Sequence, residues 1–152
     1  MNRKIHSLIL LCVGYTSLGI SSGATQGAES LSRGQSTCEA LMWTRNLTIT
    51  LAQILEATDS TPSYCYVKGI ISPAISYHVQ LPLPEDWNGR FVNWGDGGKD
   101  GDLDFADHRV AQGYAVANSN TGHDSGSEPR ASFGFNNRQA EIDFGYRAVH
   151  LT

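Results

Sequence analysis

Cysteine is scarce in this chain, basic residues never cluster, and after residue 24 no apolar stretch is long enough to span a bilayer. Each shortage removes a class of function. The formal net charge is −4, and without a Lys/Arg patch neither a nucleic acid nor an anionic membrane surface is an expected partner. The three cysteines and five histidines include no set at the spacing of a tetrahedral metal site. Apolar residues, at 40%, are plentiful enough to build a core, which sets the chain apart from disordered sequences.

Several motifs are also missing. Asp100 follows Gly98-Lys99 where a P-loop needs Ser or Thr, and Asn93 occupies its first glycine position; a carboxylate there would repel phosphate. A dinucleotide fingerprint starting at Gly95 and Gly97 would need its third glycine at Asp100, and Gly101 comes one place late. Asp100, Asp102 and Asp104 open like a calcium loop, but Phe105 and Ala111 stand where its glycine and glutamate belong. These acids read instead as the solvated start of a helix. After the expected signal segment no G-x-S-x-G elbow occurs, and His123, Asp124 and Ser125, being sequence neighbours, point in different directions and read as a polar turn.

What is present begins with a secretory pattern over residues 1–24: Arg3 and Lys4, an apolar stretch from Leu8 to Ile20, then Ser22, Gly23 and Ala24. The chain is therefore expected to be secreted or periplasmic, and Cys12 to leave with the signal. Residues 25–37 read as a flexible polar leader and 38–152 as the domain. In an exported chain the remaining pair, Cys38 and Cys65, reads as one disulfide, with two buried thiols as the alternative. Asn46-Leu47-Thr48 fits the glycosylation sequon.

Along the domain, Cys38, Leu41 and Met42 suggest a helical turn, 46–50 is β-branched, and 52–57 suits helix or strand equally. Residues 64–71 and 75–81 form an antiparallel pair across Ser72-Pro73-Ala74, the second strand alternating as a half-buried one does, and Pro82 and Pro84 end it. A third strand over 90–94 enters the glycine-rich loop. A short helix over 106–112 stops at Gly113, a fourth strand at 114–118 is apolar enough for a buried parallel position, and an amphipathic helix covers 139–151. An antiparallel pair followed by strand, loop, helix, strand and helix is the beginning of an α/β fold.

With the phosphate readings gone, one use remains for Gly95, Gly97 and Gly98 at the end of a strand: backbone N–H groups that stabilise an oxyanion during acyl transfer. Trp43, Trp87 and Trp94 could line a carbohydrate- or aromatic-binding surface, although core and rim packing is the preferred account. His78 and His108 read as surface or packing residues. Arg147 and His150, three apart on the last helix, can share a face in a polar network.

The order "YCYVKGIISP", "LPLPEDWNGRFVNWGDGGKDG", "GYAVANSNTGH" and "EIDFGYRAVHLT" resembles the N-terminal part of the tannase and feruloyl esterase family of secreted α/β-hydrolases, from about Cys38 to Thr152. The resemblance implies serine-triad hydrolysis of aromatic esters such as feruloyl or galloyl esters. It assigns Gly97 and Gly98 as candidate oxyanion-hole donors, and it supports pairing of Cys38 with Cys65. The family's nucleophile elbow, Gly-Cys-Ser-x-Gly-Gly, its later acid and base, and a lid domain with structural Ca²⁺ have no counterpart here, and Asn120 replaces an Asp. The chain is thus expected to be an incomplete α/β-hydrolase sheet, inactive alone. A secreted binding module using Trp87, Trp94 and the glycine loop is the alternative.

Overall fold

The computed structural model describes residues 23–152 apart from Asp96 and Asp100, so most of the expected signal segment, and one acid of the expected helix start, lie outside the described residues. Helix α1 (Gly23–Ala40) leads through a 3₁₀ turn (Leu41–Trp43) into strands β1 (Thr48–Leu55), β2 (Tyr64–Ile71) and β3 (Ile75–Pro82). After β4 (Phe91–Asn93) come helix α2 (Asp107–Val110), β5 (Ala115–Ser119) and helix α3 (Arg138–Ile142). A π-helical turn (Asp143–Arg147) carries α3 on into α4 (Ala148–Leu151). The sheet order is β1-β2-β3-β5-β4, with β4 parallel to β5 and every other pair antiparallel. This is a mixed sheet with helices, as an incomplete α/β fold requires.

The leader expected over 25–37 is helical instead. Its polar sequence gave no amphipathic signal, but tertiary contacts decide its state: the Gln35 side-chain oxygen accepts the Ile54 backbone N–H (3.3 Å), and Gly34 lets Leu83 approach. Cys38, at its C-terminal end, forms a disulfide with Cys65 on β2, the Cα atoms 5.6 Å apart. Around that bond Ala52 and Val67 are buried, with Leu41, Ile54 and Leu81 packed on them. The undecided stretch after residue 50 joins the strand before it, a bulge between Ile49 and Leu51 absorbing the change of register.

The opposite face of the sheet holds Tyr64, Ala106, Val110 and Val116. It also holds a correction to the half-buried reading of β3. His78 and Gln80, on what should have been the wet side, are wholly buried, as is Asn118 on β5, which pairs with His78 in register. Their partners lie on the irregular segment crossing above them. His78 Nε2 donates to the Asp104 carbonyl (3.0 Å), Asn118 Oδ1 accepts from Asp104 N–H (3.1 Å), and Gln80 Oε1 accepts from Ala106 N–H (2.9 Å). Gln80 Nε2 also donates to the Asp107 carboxylate (2.7 Å). Buried backbone outside a ladder needs such partners, each orphaned group costing about 1–3 kcal/mol. The acids around Asp102 and Asp104 are accordingly a held crossing, since α2 starts only at Asp107. The short helix ends at Val110, sooner than the expected 112, and a turn carries the chain on to Gly113 at φ +83°.

Burial holds the His78 pKa below its ordinary value of 6.5; the hydrogen bond to Asp104 opposes this, Lys68 adds to it and Asp107 counters it, while Tyr66 OH and the Phe105 ring complete its surroundings. A depressed folded-state pKa contributes stability that is fully present above pH 6.5 and is lost as pH falls through the folded value. Unfolding free energy measured by urea titration should therefore decline on acidification from pH 7, by at most about 1.4 kcal/mol per pH unit from this group. His78→Gln should flatten that slope. Replacing Cys38 and Cys65 together by Ser, which opens a loop of sequence separation 27, should cost about 3.5 kcal/mol in the same titration.

Candidate functional site

Strands β4 and β5 run parallel and side by side, so the loops after their carboxyl ends open on the same edge of the sheet, where α/β folds place their ligands. Trp94 N–H extends the ladder by one bond to the Ala117 carbonyl (2.7 Å). There the chain leaves the sheet for the glycine loop. It returns at Asp104, and one side chain holds both points: Asn118 Nδ2 donates to the Trp94 carbonyl (2.9 Å) while its Oδ1 takes the Asp104 N–H.

The glycines between these points serve different ends. At Gly95, Gly97 and Gly98 a Cβ would meet no heavy atom within 4 Å, so crowding by the protein does not demand glycine there; Gly98 needs it for φ +68°. Gly101 is the reverse case. At φ +129° its Cβ would stand 2.8 Å from the His123 ring and from Ser125 N. Beside the loop lies a cavity of about 210 Å³ lined by Trp94, Gly95, Gly98, Asn118, Thr121 and Phe144.

His123 is buried, its ring stacked on Phe133 at 4.0 Å. Its Nε2 donates to the Lys99 carbonyl (2.9 Å), and Thr121 Oγ1 lies 3.2 Å from Nδ1. The His123–Ser125 stretch is a polar turn, as the sequence suggested, with no triad geometry. Asp124 accepts the N–H and Oγ of Ser127 (2.8 and 2.9 Å), bonds that hold its carboxyl below the usual range, and Ser125 Oγ donates to Asp102 (2.7 Å).

Other candidates scatter. Trp94 is half-buried, with His108 edge-on at 5.0 Å, but Trp43 is 87% and Trp87 54% exposed, so packing does not account for those two. Arg147 and His150 do not meet: Arg147 pairs with the buried Asp143 and donates to the Ser72 carbonyl (2.6 Å), whereas His150 stacks on Tyr146. Among the described residues no group of three or more His, Cys, Asp or Glu could hold a metal ion, so none of them fits the calcium site implied for a lid domain. No helix among them is long and apolar enough to cross a membrane. Asn118 and His123, which organise the loop, went unrecognised as site residues in the sequence; the one available signal was an amide closing the apolar run Ala115-Val116-Ala117.

The two classes of glycine predict opposite outcomes. Gly101→Ala should lower stability by about 2 kcal/mol or more, through strain and contact with His123. Gly97→Ala should stay within about 0.5 kcal/mol of the unchanged protein. Urea unfolding midpoints of the two variants check both.

Feruloyl esterase B of Aspergillus niger is 40% identical over 90 residues, which are 57% of this chain and 17% of that protein. A probable feruloyl esterase B-2 of Aspergillus flavus is 39% identical over 79 residues, 51% of this chain and 15% of that one. An uncharacterized esterase of Agrobacterium fabrum is 32% identical over 101 residues, 57% and 18% of the respective chains. This chain therefore spans less than a fifth of the curated relatives it matches. Two crystal structures share the fold: an esterase from Aspergillus oryzae (TM-score 0.64, 18% identity, covering 77% of this chain and 27% of that one) and feruloyl esterase B from the same organism (0.57, 22%, 76% and 26%). With the family model for tannase and feruloyl esterase matching residues 60–152, the region that holds the glycine loop and its supports, the chain belongs to the tannase and feruloyl esterase family.

Proposed function

We propose that these residues form the oxyanion-binding part of a secreted carboxylic ester hydrolase acting on aromatic esters such as feruloyl or galloyl esters. The observation that carries the reading is the glycine loop at the carboxyl end of β4, open beside a cavity and lying inside the family match. When a nucleophile attacks an ester carbonyl, charge moves onto the carbonyl oxygen. Preorganised N–H groups of Gly97 and Gly98 would meet that charge, each contributing about 3 kcal/mol in the transition state. The shortage of side chains then has a purpose: the substrate oxygen can come within hydrogen-bond reach of the backbone.

The attacking group is a serine in this reading, activated by a His-Asp pair, and none of the three is among the candidates these residues supply. These 152 residues alone should not turn over an ester, because oxyanion donors have nothing to assist without a nucleophile and base. Export through the N-terminal signal and a calcium-bearing lid complete the proposal. The second reading, a binding module without catalysis, draws on Trp94 as a cavity wall and on the exposed Trp87.

Sequencing the transcript past the Thr152 codon and assaying the secreted product of the complete frame on methyl ferulate separates the two. Hydrolysis abolished by a sulfonyl fluoride is the expected result. In that enzyme Gly97→Ala, whose methyl enters the open side of the loop, should lower kcat/KM by about 10- to 100-fold, a loss of about 1.4–2.7 kcal/mol. Ferulate binding without turnover would favour the module and overturn the hydrolase.

A further inference from the structure

We propose that His123 is the positioning residue of the oxyanion loop, anchoring it through the Lys99 carbonyl so that the Gly97 and Gly98 peptides keep one orientation. This inference rests on the proposed role of those glycines but can be tested apart from it.

The glycine-rich stretch from Gly95 to Gly98 has two ends. The near end is set by the sheet, through the bond from Trp94 N–H to Ala117 and the Asn118 amide on the Trp94 carbonyl. The far end is Lys99, itself exposed, whose carbonyl turns inward to the buried His123. A carbonyl can only accept, so Nε2 carries the hydrogen; Nδ1 then faces the Thr121 hydroxyl as its acceptor. The ring cannot swing out, because Phe133 stacks on one face at 4.0 Å and Phe144 lies near at 6.0 Å.

Gly101 completes the fit. Its missing Cβ leaves room for the Cδ2–Nε2 edge of the imidazole, so the ring both bonds the loop at Lys99 and packs against it two residues later. With both nitrogens engaged and Asp124 committed to Ser127, His123 has no lone pair to offer a reacting group and acts through Lys99. Oxyanion donors act well only if they need no reorganisation when charge develops, and a fixed far end supplies that.

The test uses the full chain and three variants. His123→Phe keeps a ring to stack on Phe133 but removes the donor, and His123→Gln keeps a donor without the ring. The third, Thr121→Val, leaves Nδ1 without its hydroxyl. Long-range ¹H–¹⁵N spectra of the unchanged protein should show the Nε2–H tautomer, and Thr121→Val should shift the Nδ1 resonance. Amide exchange over residues 97–101 should speed up at least tenfold in His123→Phe and less in His123→Gln. If the complete product hydrolyses methyl ferulate, His123→Phe should lower its kcat at least tenfold with KM changed less than threefold.

An Nδ1–H tautomer, or loop exchange unchanged in His123→Phe, would overturn the anchor. Should that variant not fold, the tautomer and the His123→Gln exchange rates still decide. An inactive secreted product would defeat the hydrolase reading while leaving the spectra and the exchange rates to judge His123.

Discussion

The structure depends on one buried amide. Asn118 sits at the end of β5 and bonds the backbone both where the chain leaves the sheet, at the Trp94 carbonyl, and where it comes back, at the Asp104 N–H. The described residues between those points are irregular, glycine-rich and largely exposed, and have little apolar surface of their own to bury. A loop of that composition would otherwise sample many conformations. By joining its ends to a central strand, Asn118 makes the loop part of the sheet.

His78 and Gln80 extend the same principle across the neighbouring strand. A chain segment lying over a buried sheet face must find partners for its N–H and carbonyl groups, and here the sheet supplies them from side chains. That is why three polar residues with almost no exposure coexist with Val110 and Val116 in this part of the core. The C-terminal helical stretch docks by comparable chemistry. Asp143, wholly buried in the π-helical turn, takes Gln139 and Arg147 as partners, and Arg147 reaches on to the Ser72 carbonyl in the β2–β3 turn. Polar contacts with fixed geometry specify one arrangement of loop, sheet and helix more sharply than apolar packing could.

Much of this was legible in the sequence. Strand β2 was placed at its observed bounds and β3 within one residue of them, because β-branched and aromatic runs bounded by Pro and Ser are local signals. The Cys38–Cys65 bond followed from an even cysteine pair. The glycine loop stood out through composition alone. Helix α1 did not, since its stability comes from β1, Leu83 and the disulfide, all remote in sequence. Nor did the burial of His78 and Gln80, since alternation says which residues share a face but not what covers that face.

By itself, then, the sequence determined strands β2 to β5, the pairing of β2 with β3, the preference for one disulfide between Cys38 and Cys65 and the family resemblance, because these rest on residue types and short spacings. Tertiary structure decided the site. Gly98 and Gly101 look alike in the sequence and both have positive φ, yet only Gly101 must also leave room for the imidazole of His123 beside it. A residue's chemistry is carried by its type, but whether a histidine is a surface group, a core donor or a loop anchor depends on which backbone the fold brings to its nitrogens.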